Sequence, residues 1–192
     1  MPKLYVIAGP NGAGKTTFIK RTVPEEFRLP DFLNADEIAR GLSPFDPTRA
    51  QFEAGRLVLG RFEQFVAEGR DFCLETTLSG KTYRRHFESA RAAGYFIRLD
   101  FLLLPRVEIS RRRVAHRVAH GGHDVLEEHL VRRFKLGVQN LFHHYRPTLD
   151  EWRVFRNDLT PPLLIAAGDA TEMHVVNAAE FAKVVQVFEL KP

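Results

Sequence analysis

One short stretch constrains the fold of this 192-residue chain more than any other. Residues 9–16 read Gly-Pro-Asn-Gly-Ala-Gly-Lys-Thr and match the pattern G-x-x-x-x-G-K-[ST] at every fixed position. The apolar run at residues 4–8 precedes them, and a helical pattern begins near Gly14. A glycine-rich turn between a buried strand and a helix is typical of a phosphate-binding loop (P-loop), so the sequence predicts nucleotide binding.

Each position of this P-loop would have a role in binding. Its backbone N–H groups and the helix N-terminus would surround the phosphate oxygens of ATP or GTP. Lys15 would contact the β- and γ-phosphates, and the Thr16 hydroxyl would bind the Mg²⁺ that arrives with the nucleotide. Asn157, after the last core strand, would contact adenine or simply form a turn. The loop residues predicted to bind the nucleotide are Gly9, Pro10, Asn11, Gly12, Ala13, Gly14, Lys15, Thr16 and Thr17.

The rest of the chain alternates between apolar runs and helical patterns. Two of the helical patterns stop at Gly69 and Gly94, as helices with a left-handed cap do. Short strands that alternate with helices predict an α/β fold, a mostly parallel sheet with helices on both faces. This is the P-loop NTPase fold in the form typical of nucleoside monophosphate kinases, and it would occupy residues 1–192 as a single domain. The predicted strands cover residues 4–8, 32–34, 71–75, 95–104 and 152–155, and a small hairpin at 163–166 and 174–176 precedes a last helix at 178–188.

Composition excludes several classes of protein. Hydrophobic residues make up 44% and charged residues 27% of the chain, which is too apolar for a disordered segment. The apolar runs are well short of the roughly 20 residues of a membrane helix. The strand that begins at Leu4 leaves no room for a signal peptide. We therefore expect a cytoplasmic protein with no membrane partner, whose single cysteine, Cys73, is buried and inert.

Two missing signatures narrow the class of P-loop protein. Residues 96–100 are the nearest candidate for an aliphatic strand that ends in a catalytic Asp, and Arg98 interrupts them. The guanine-binding pattern Asn-Lys-x-Asp is absent from the sequence. The sequence therefore favours a small-molecule kinase over a motor ATPase or a GTPase.

Asp36 is the candidate for the residue that handles the acceptor. It follows the strand at 32–34, and the carboxyl ends of strands in an open α/β sheet form the ligand-binding edge. There its carboxylate would accept the proton of an attacking hydroxyl or orient that hydroxyl. The alternative is that Asn34 and Glu37 form a capping box and that Asp36 is a first-turn acid of the next helix.

Polar residues also follow the strand at 71–75. Glu75 would bind acceptor hydroxyls, or Mg²⁺ through water, and Thr77 and Ser79 would reach a phosphate or sugar of the acceptor. Alternatively, Thr77 or Ser79 caps the helix that begins near Lys81. The residues predicted to bind the acceptor are Asp36, Glu75, Thr76, Thr77 and Ser79.

Residues from about 106 to 146 have the pattern of a lid. Arg113 and Arg117 lie four apart on one helical pattern, residues 121–124 break it, and Arg133 lies on a second helical pattern. Arginines brought onto the triphosphate would neutralise charge on the transferring phosphoryl group, and closure would exclude water. A solvated basic surface is the alternative, which we prefer for Arg111, Arg112 and Lys135.

Together these segments resemble the zeta toxin family of P-loop kinases in its short bacterial form. The resemblance covers residues 3–158. Its motifs are Gly-Pro-Asn-Gly-Ala-Gly-Lys-Thr-Thr at 9–17, Asn-Ala-Asp-Glu-Ile-Ala at 34–39, Leu-Glu-Thr-Thr-Leu-Ser-Gly at 74–80, Arg-Val-Ala-His-Arg-Val at 113–118, Gly-Gly-His-Asp-Val at 121–125 and Tyr-Arg-Pro at 145–147.

The resemblance implies an activity and a role for each matching residue. The implied activity is phosphorylation of the sugar 3′-hydroxyl of UDP-N-acetylglucosamine by ATP or GTP, acting as a toxin with a small antitoxin protein as partner. The resemblance implies Asp36 as the catalytic base, Lys15 as the phosphate clamp and Thr16 as the Mg²⁺ ligand. It implies acceptor contacts by Glu75 and Thr77. The implied charge neutralisers are Arg113 with Arg117 or Arg133.

Two other functions stay open. One is phosphorylation of another hydroxyl, on a nucleoside, a different sugar or a nucleic-acid end. The other is a nucleotide-gated module that binds nucleic acid through the basic residues 111–135. The arginines of the first lid helix do not alternate with aromatic residues that would stack on bases, which disfavours a nucleic-acid partner.

Overall fold

The computed structural model describes residues 1–22, 31–120 and 125–190. The predicted hinge at 121–124 therefore lies outside the described residues. The strands are β1 (Lys3–Ala8), β2 (Phe32–Asn34), β3 (Phe72–Thr76), β4 (Phe96–Leu103), β5 (Glu151–Arg156), β6 (Leu163–Gly168) and β7 (Met173–Val175). The α-helices are α1 (Lys15–Thr22), α2 (Ala35–Leu42), α3 (Gln51–Ala67), α4 (Thr82–Ala92), α5 (Val107–Ala119), α6 (Glu127–Asn140) and α7 (Ala178–Phe188). Short 3₁₀ or π turns lie at Pro47–Ala50, Leu141–Tyr145 and Arg146–Thr148.

The described strands form one mixed sheet in the order β2-β3-β1-β4-β5-β6-β7. Strands β1 to β5 pair in parallel, with β1 between β3 and β4. The chain order reverses at β1, so the P-loop after β1 lies at the switch point where open α/β sheets bind ligands. The carboxyl ends of β2 and β3 lie at the same edge, which brings the segments after Asn34 and Thr76 next to the P-loop.

Burial explains why these runs form strands and helices. Residues 4–8 are fully buried, as expected for a central strand covered on both faces. On α3, Val58 and Phe62 are buried at helical spacing. Gly69 and Gly94 follow α3 and α4 with φ of +63° and +82°, the left-handed caps predicted from the sequence. The prediction of an α/β P-loop NTPase fold is confirmed.

The C-terminal hairpin extends the main sheet. Strand β6 pairs antiparallel with β5, and β7 pairs antiparallel with β6. The sequence predicted the hairpin and α7, but it did not predict that they attach to β5. Helix α7 packs on α6, where the ring centroids of Phe134 and Phe188 lie 5.2 Å apart and Gln139 Nε2 donates to the carbonyl of Phe188. The sheet is therefore parallel from β2 to β5 and antiparallel at this edge.

Two charged residues, Arg98 and Asp100, interrupt the apolar pattern of β4, and Arg98 Nε lies 4.0 Å from Asp100 Oδ1. Asp100 is fully buried and accepts hydrogen bonds from the Tyr5 hydroxyl and from Arg153 Nε, each at 2.7 Å. It pairs with Ile7 in the middle of β4, away from the carboxyl end of the strand. Burial and the Asp100 carboxylate raise the pKa of the Tyr5 phenol well above its ordinary value, so the phenol stays a donor. Asp100 therefore joins three strands and lies outside the ligand-binding edge.

Composition predicted a buried, inert cysteine and no membrane-spanning helix. Cys73 on β3 is buried, and burial raises the pKa of its thiol, so the thiol is neutral and unreactive as predicted. Over residues 1–22, 31–120 and 125–190, no helix is long and apolar enough to cross a membrane.

Candidate active site

The P-loop connects β1 to α1 and packs against β4. Gly9 has a φ of +145°, and a Cβ at this position would lie 2.4 Å from the carbonyl oxygen of Leu102. Only glycine fits such a contact in this conformation. The Ala13 N–H donates to the carbonyl of Pro10 at 3.1 Å and closes the turn, after which α1 begins at Lys15. This is the strand, turn and helix that phosphate binding requires.

Lys15 lies over the loop and meets a carboxylate from the neighbouring strand. Its Nζ donates to the carbonyl oxygens of Gly9 and Pro10 at 3.1 and 3.2 Å. Glu75 on β3 has Oε1 3.7 Å from Lys15 Nζ, and its Oε2 accepts a hydrogen bond from the Thr16 hydroxyl at 3.0 Å. The structure thus brings the predicted phosphate clamp, the predicted Mg²⁺ ligand and a predicted acceptor contact into one cluster.

A cavity of about 570 Å³ opens on one side of the P-loop, and we call it the nucleotide cavity. Gly12 and Gly14 form its loop side, and the segment after β5 forms the opposite wall. Asn157 belongs to this wall, and its Nδ2 donates to the carbonyl of Ala13 at 2.7 Å. Phe18 on α1 and Pro161 add apolar surface. The volume and the mixed lining are typical of small-molecule sites.

A second, smaller cavity of about 140 Å³ lies between the P-loop, the ends of β2 and β3, and α6. We call it the acceptor cavity. Its lining includes most of the residues predicted to act on the acceptor or on the transferring phosphoryl group. These are Lys15, Asp36, Glu75, Thr76, Thr77 and Arg133.

Asn34 caps α2 and leaves the Asp36 side chain available. The Asn34 Oδ1 accepts hydrogen bonds from the N–H groups of Asp36 at 2.9 Å and Glu37 at 3.3 Å. The Glu37 carboxylate pairs with Arg40 at 3.1 Å, so it does not complete a capping box. Because the cap uses only the backbone of Asp36, its half-buried side chain lines the acceptor cavity. Asp36 is therefore a first-turn acid of α2 without a capping box, and its role in accepting or orienting the acceptor hydroxyl stays a prediction.

The turn after β3 is held by its own hydrogen bonds. Thr77 Oγ1 and Ser79 Oγ lie 2.9 Å apart, and the Leu78 N–H donates to the Thr76 hydroxyl at 3.1 Å. Helix α4 begins beyond this turn with Lys81 as its N-cap residue, so neither Thr77 nor Ser79 caps it. Thr76 and Thr77 line the acceptor cavity, whereas Ser79 contacts it only through Thr77.

Arg113 lies on the nucleotide side of the P-loop. It is on α5, donates to the carbonyl oxygens of Gly12 and Asn157 at 3.2 and 3.1 Å, and lines the nucleotide cavity. Arg117 follows one turn later on α5 and lines neither of the two cavities. Of these two arginines on one flank of α5, Arg113 alone lines the nucleotide cavity, and the catalytic role of Arg117 stays a prediction.

Arg133 lies on the acceptor side. It is on α6, lines the acceptor cavity and donates to Asn11 Oδ1 at 3.4 Å. Burial lowers the pKa of its guanidinium, while the nearby Asp36 carboxylate opposes that shift. Helices α5 and α6, which the sequence predicts as parts of a lid, thus bring one arginine to each side of the loop.

The C-terminal part of the predicted lid is packed into the core. A Cβ at Gly137 on α6 would lie 2.6 Å from the carbonyl oxygen of Thr77, so this helix touches the acceptor turn directly. Asn140 Nδ2 donates to the carbonyl of Leu78 at 2.9 Å, and the Tyr145 hydroxyl donates to that of Gly80 at 2.7 Å. Residues 137–145 are thus packed on the turn after β3, and closure of a lid at 106–146 stays a prediction.

Sequence analysis missed several contributors to the site. Tyr83 on α4 lines the acceptor cavity, and burial raises its pKa to about 12. Phe18 lines the nucleotide cavity, and the Ser110 hydroxyl donates to the carbonyl of Asn11 at 2.5 Å. Tyr83 and Phe18 lie outside the motifs at 74–80 and 9–17, and nothing in the sequence around Ser110 connects it with the P-loop.

A P-loop at the switch point of a parallel sheet, with a cavity on either side, defines a protein of the P-loop NTPase fold. The family model described as an AAA domain matches residues 4–139, and the chain belongs to this family. An uncharacterised protein of Haemophilus influenzae is 30% identical over 132 residues, which cover 69% of this chain and 92% of that protein.

Solved structures share the fold at low sequence identity. The crystal structure of AvrRxo1-ORF1 and AvrRxo1-ORF2 with ATP matches 96% of this chain with a TM-score of 0.77 and 18% identity, and this chain spans 63% of that one. A structure of the PezAT chromosomal toxin–antitoxin system of Streptococcus pneumoniae matches all of this chain and 80% of its own, with a TM-score of 0.66 and 15% identity. The predicted resemblance to zeta-toxin-like P-loop kinases is therefore confirmed at the level of the fold.

Proposed function

We propose that this protein is a kinase that transfers the γ-phosphoryl group of ATP to a hydroxyl group of a small molecule. The observation that carries the proposal is the acceptor cavity, in which Lys15, Asp36 and Arg133 surround one small space beside the P-loop. An ATPase uses water as its acceptor and needs no cavity for a second substrate. A kinase needs a cavity for its acceptor as well as a site for the nucleotide.

Asp36 would hold the acceptor hydroxyl for attack. Its carboxylate takes the hydroxyl proton as the acceptor oxygen bonds to the γ-phosphorus and the bond to the β–γ bridging oxygen breaks, which releases ADP. Lys15 and Arg133 line the same cavity and would neutralise the charge on the phosphoryl oxygens in the transition state.

The residues beside the P-loop fit a magnesium ion. Mg²⁺ takes oxygen ligands and is usually held by one or two side chains together with substrate phosphates and water. The Thr16 hydroxyl and the Glu75 carboxylate lie 3.0 Å apart here, so Thr16 would bind the ion directly and Glu75 through water. When bound, the ion would supply positive charge to the β- and γ-phosphates.

UDP-N-acetylglucosamine or a related nucleotide sugar is the acceptor that we propose. The motifs at 34–39 and 74–80 resemble those of zeta toxins, and their side chains Asp36, Glu75 and Thr77 line one cavity. These carboxylate and hydroxyl oxygens suit a sugar ring with several hydroxyl groups. The proposal includes a cytoplasmic location. It also includes a toxin role with a small antitoxin partner, because AvrRxo1-ORF1 is paired with AvrRxo1-ORF2 and PezAT is a toxin–antitoxin system.

Mass spectrometry of phosphorylated products tests this function. The protein is incubated with ATP, Mg²⁺ and a panel that contains UDP-N-acetylglucosamine, other nucleotide sugars, nucleosides and an oligonucleotide with a free 5′-hydroxyl. We expect phosphorylated UDP-N-acetylglucosamine as the main product. Phosphorylation of another panel member would support the kinase activity and show that the proposed acceptor is wrong. If ADP forms as fast without an acceptor as it does with each acceptor of the panel, the kinase activity is contradicted.

Alanine variants of the two lid arginines should change different kinetic constants. Arg133→Ala removes a charge beside the acceptor cavity, so we expect kcat to fall about a hundredfold with little change in the KM for ATP. Arg113→Ala removes donors on the nucleotide side, so we expect the KM for ATP to rise about tenfold. Steady-state kinetics with varied ATP measures both.

Exposed neighbours on the same helices provide matched controls for these variants. Arg112 on α5 and Arg132 on α6 are exposed and line neither cavity, so their alanine variants remove a basic residue without touching the site. Both controls should keep the kinetic constants of the unmodified protein. A fall in kcat for Arg113→Ala at unchanged KM would show that Arg113 acts on the transferring group instead.

A further inference from the structure

We propose that Ser110 is a positioning residue that sets the backbone of the P-loop for nucleotide binding, an inference that rests on the nucleotide binding proposed above. Ser110 is on α5, whose buried residues are Ser110 and Val114. A polar side chain at one of two buried positions of a helix needs a partner there. That partner is in the P-loop, 99 residues away along the chain.

The Ser110 hydroxyl reaches across to the loop instead of back along its own helix. A helical serine commonly donates to the carbonyl four residues earlier or points to solvent. Here Ser110 is fully buried, and its Oγ donates to the backbone carbonyl of Asn11 at 2.5 Å. This hydrogen bond adds nothing to the backbone hydrogen bonds of α5. Its effect is therefore on the order of the P-loop.

This hydrogen bond controls the direction of a neighbouring N–H group. The carbonyl of Asn11 and the N–H of Gly12 belong to one planar trans peptide, so they point in opposite directions. Holding the carbonyl towards α5 turns the Gly12 N–H away from α5. A P-loop binds phosphate through backbone N–H groups, and groups that are ordered in advance need not be ordered when the nucleotide binds.

Helix α5 packs closely on the loop at Gly12, where a side chain would be both crowded and strained. Gly12 has a φ of +75°, and a Cβ there would lie 3.0 Å from the carbonyl oxygen of Ser110 and 3.2 Å from the Cβ of Arg113. Arg113, one turn after Ser110, holds the next carbonyl, that of Gly12, at 3.2 Å. Two residues on one face of α5 thus hold two consecutive peptide groups of the P-loop.

Ser110→Ala tests the proposal by removing a single oxygen atom. We expect the Kd of a non-hydrolysable ATP analogue, measured by calorimetric titration, to rise about tenfold. Ser110→Cys keeps a weaker donor of similar size, so its Kd should lie between those of the other two proteins. The KM for the acceptor should not change, because Ser110 does not line the acceptor cavity.

Thr148→Val is the matched control for loss of a buried hydroxyl. Thr148 is 3% exposed and donates to the carbonyl of Tyr145 at 2.7 Å, but it precedes β5, at the edge of the sheet opposite the P-loop. This variant should lose thermal stability and keep the Kd of the unmodified protein.

Unchanged nucleotide affinity in Ser110→Ala would overturn the proposal, whatever the loss of thermal stability. If the expected Kd pattern appears without transfer to any acceptor, the inference holds and the proposed kinase activity fails.

Discussion

Lys15→Ala is expected to lower kcat/KM for phosphoryl transfer by about a thousandfold or more. The Lys15 Nζ lies 3.1 and 3.2 Å from the carbonyl oxygens of Gly9 and Pro10, and the side chain lines the acceptor cavity. From this position the ammonium group would contact the phosphoryl group during the proposed transfer from donor to acceptor. The rate of ADP and product formation at saturating acceptor measures the effect.

Most of the Lys15→Ala effect should be on kcat. The backbone N–H groups of the loop still bind phosphate in the variant, so we expect the Kd of a non-hydrolysable ATP analogue to rise only about tenfold. The variant also removes the cation 3.7 Å from Glu75, and the uncompensated carboxylate beside the phosphates adds to the loss.

Lys20→Ala controls for the loss of a lysine from α1. Lys20 is exposed on the same helix and lines neither cavity, so this variant should match the unmodified protein in rate and affinity. Transfer by Lys15→Ala at more than about a tenth of the original rate would show that the P-loop lysine is not the principal charge at the transferring group.

The P-loop, which forms one side of the nucleotide cavity, could be predicted from sequence because it is local. Its residues are contiguous, and the strand before Gly9 and the helix from Lys15 are encoded by their own apolar patterns. The positive φ of Gly9 and the contact with Leu102 show why the motif demands glycine. The rest of the nucleotide cavity includes Arg113 and Pro161, which come from distant segments, and tertiary packing sets their positions.

On the acceptor side of the site, the sequence could predict only residues that directly follow a strand. Asp36 and Glu75 each follow a strand, and the parallel pairing of β2, β3 and β1 brings them together. Tyr83 and Arg133 reach the same cavity from α4 and α6, whose crossing over the sheet is set by tertiary packing. For the same reason, helical spacing alone could not show that Arg113, and not Arg117, lines the nucleotide cavity.

Asp36→Asn is expected to lower kcat about a thousandfold while leaving nucleotide affinity unchanged. Asparagine keeps the shape of the side chain but cannot take the acceptor proton. Asp36 lines the acceptor cavity and not the nucleotide cavity, so the Kd of a non-hydrolysable ATP analogue should be unaffected. Single-turnover transfer and calorimetric titration measure the two quantities.

Glu37→Gln is the matched control for Asp36→Asn, because Glu37 is the next acid in the same first turn of α2. Asn34 caps α2 through the backbone N–H groups of both residues, so neither substitution removes the cap. Each substitution removes one negative charge from the N-terminus of α2 and should cost a similar amount of stability, about 0.3–1 kcal/mol. Glu37 pairs with Arg40 on the surface, so Glu37→Gln should keep full activity. If Asp36→Asn lowers kcat only about tenfold, the carboxylate orients the hydroxyl and the proton leaves by another route.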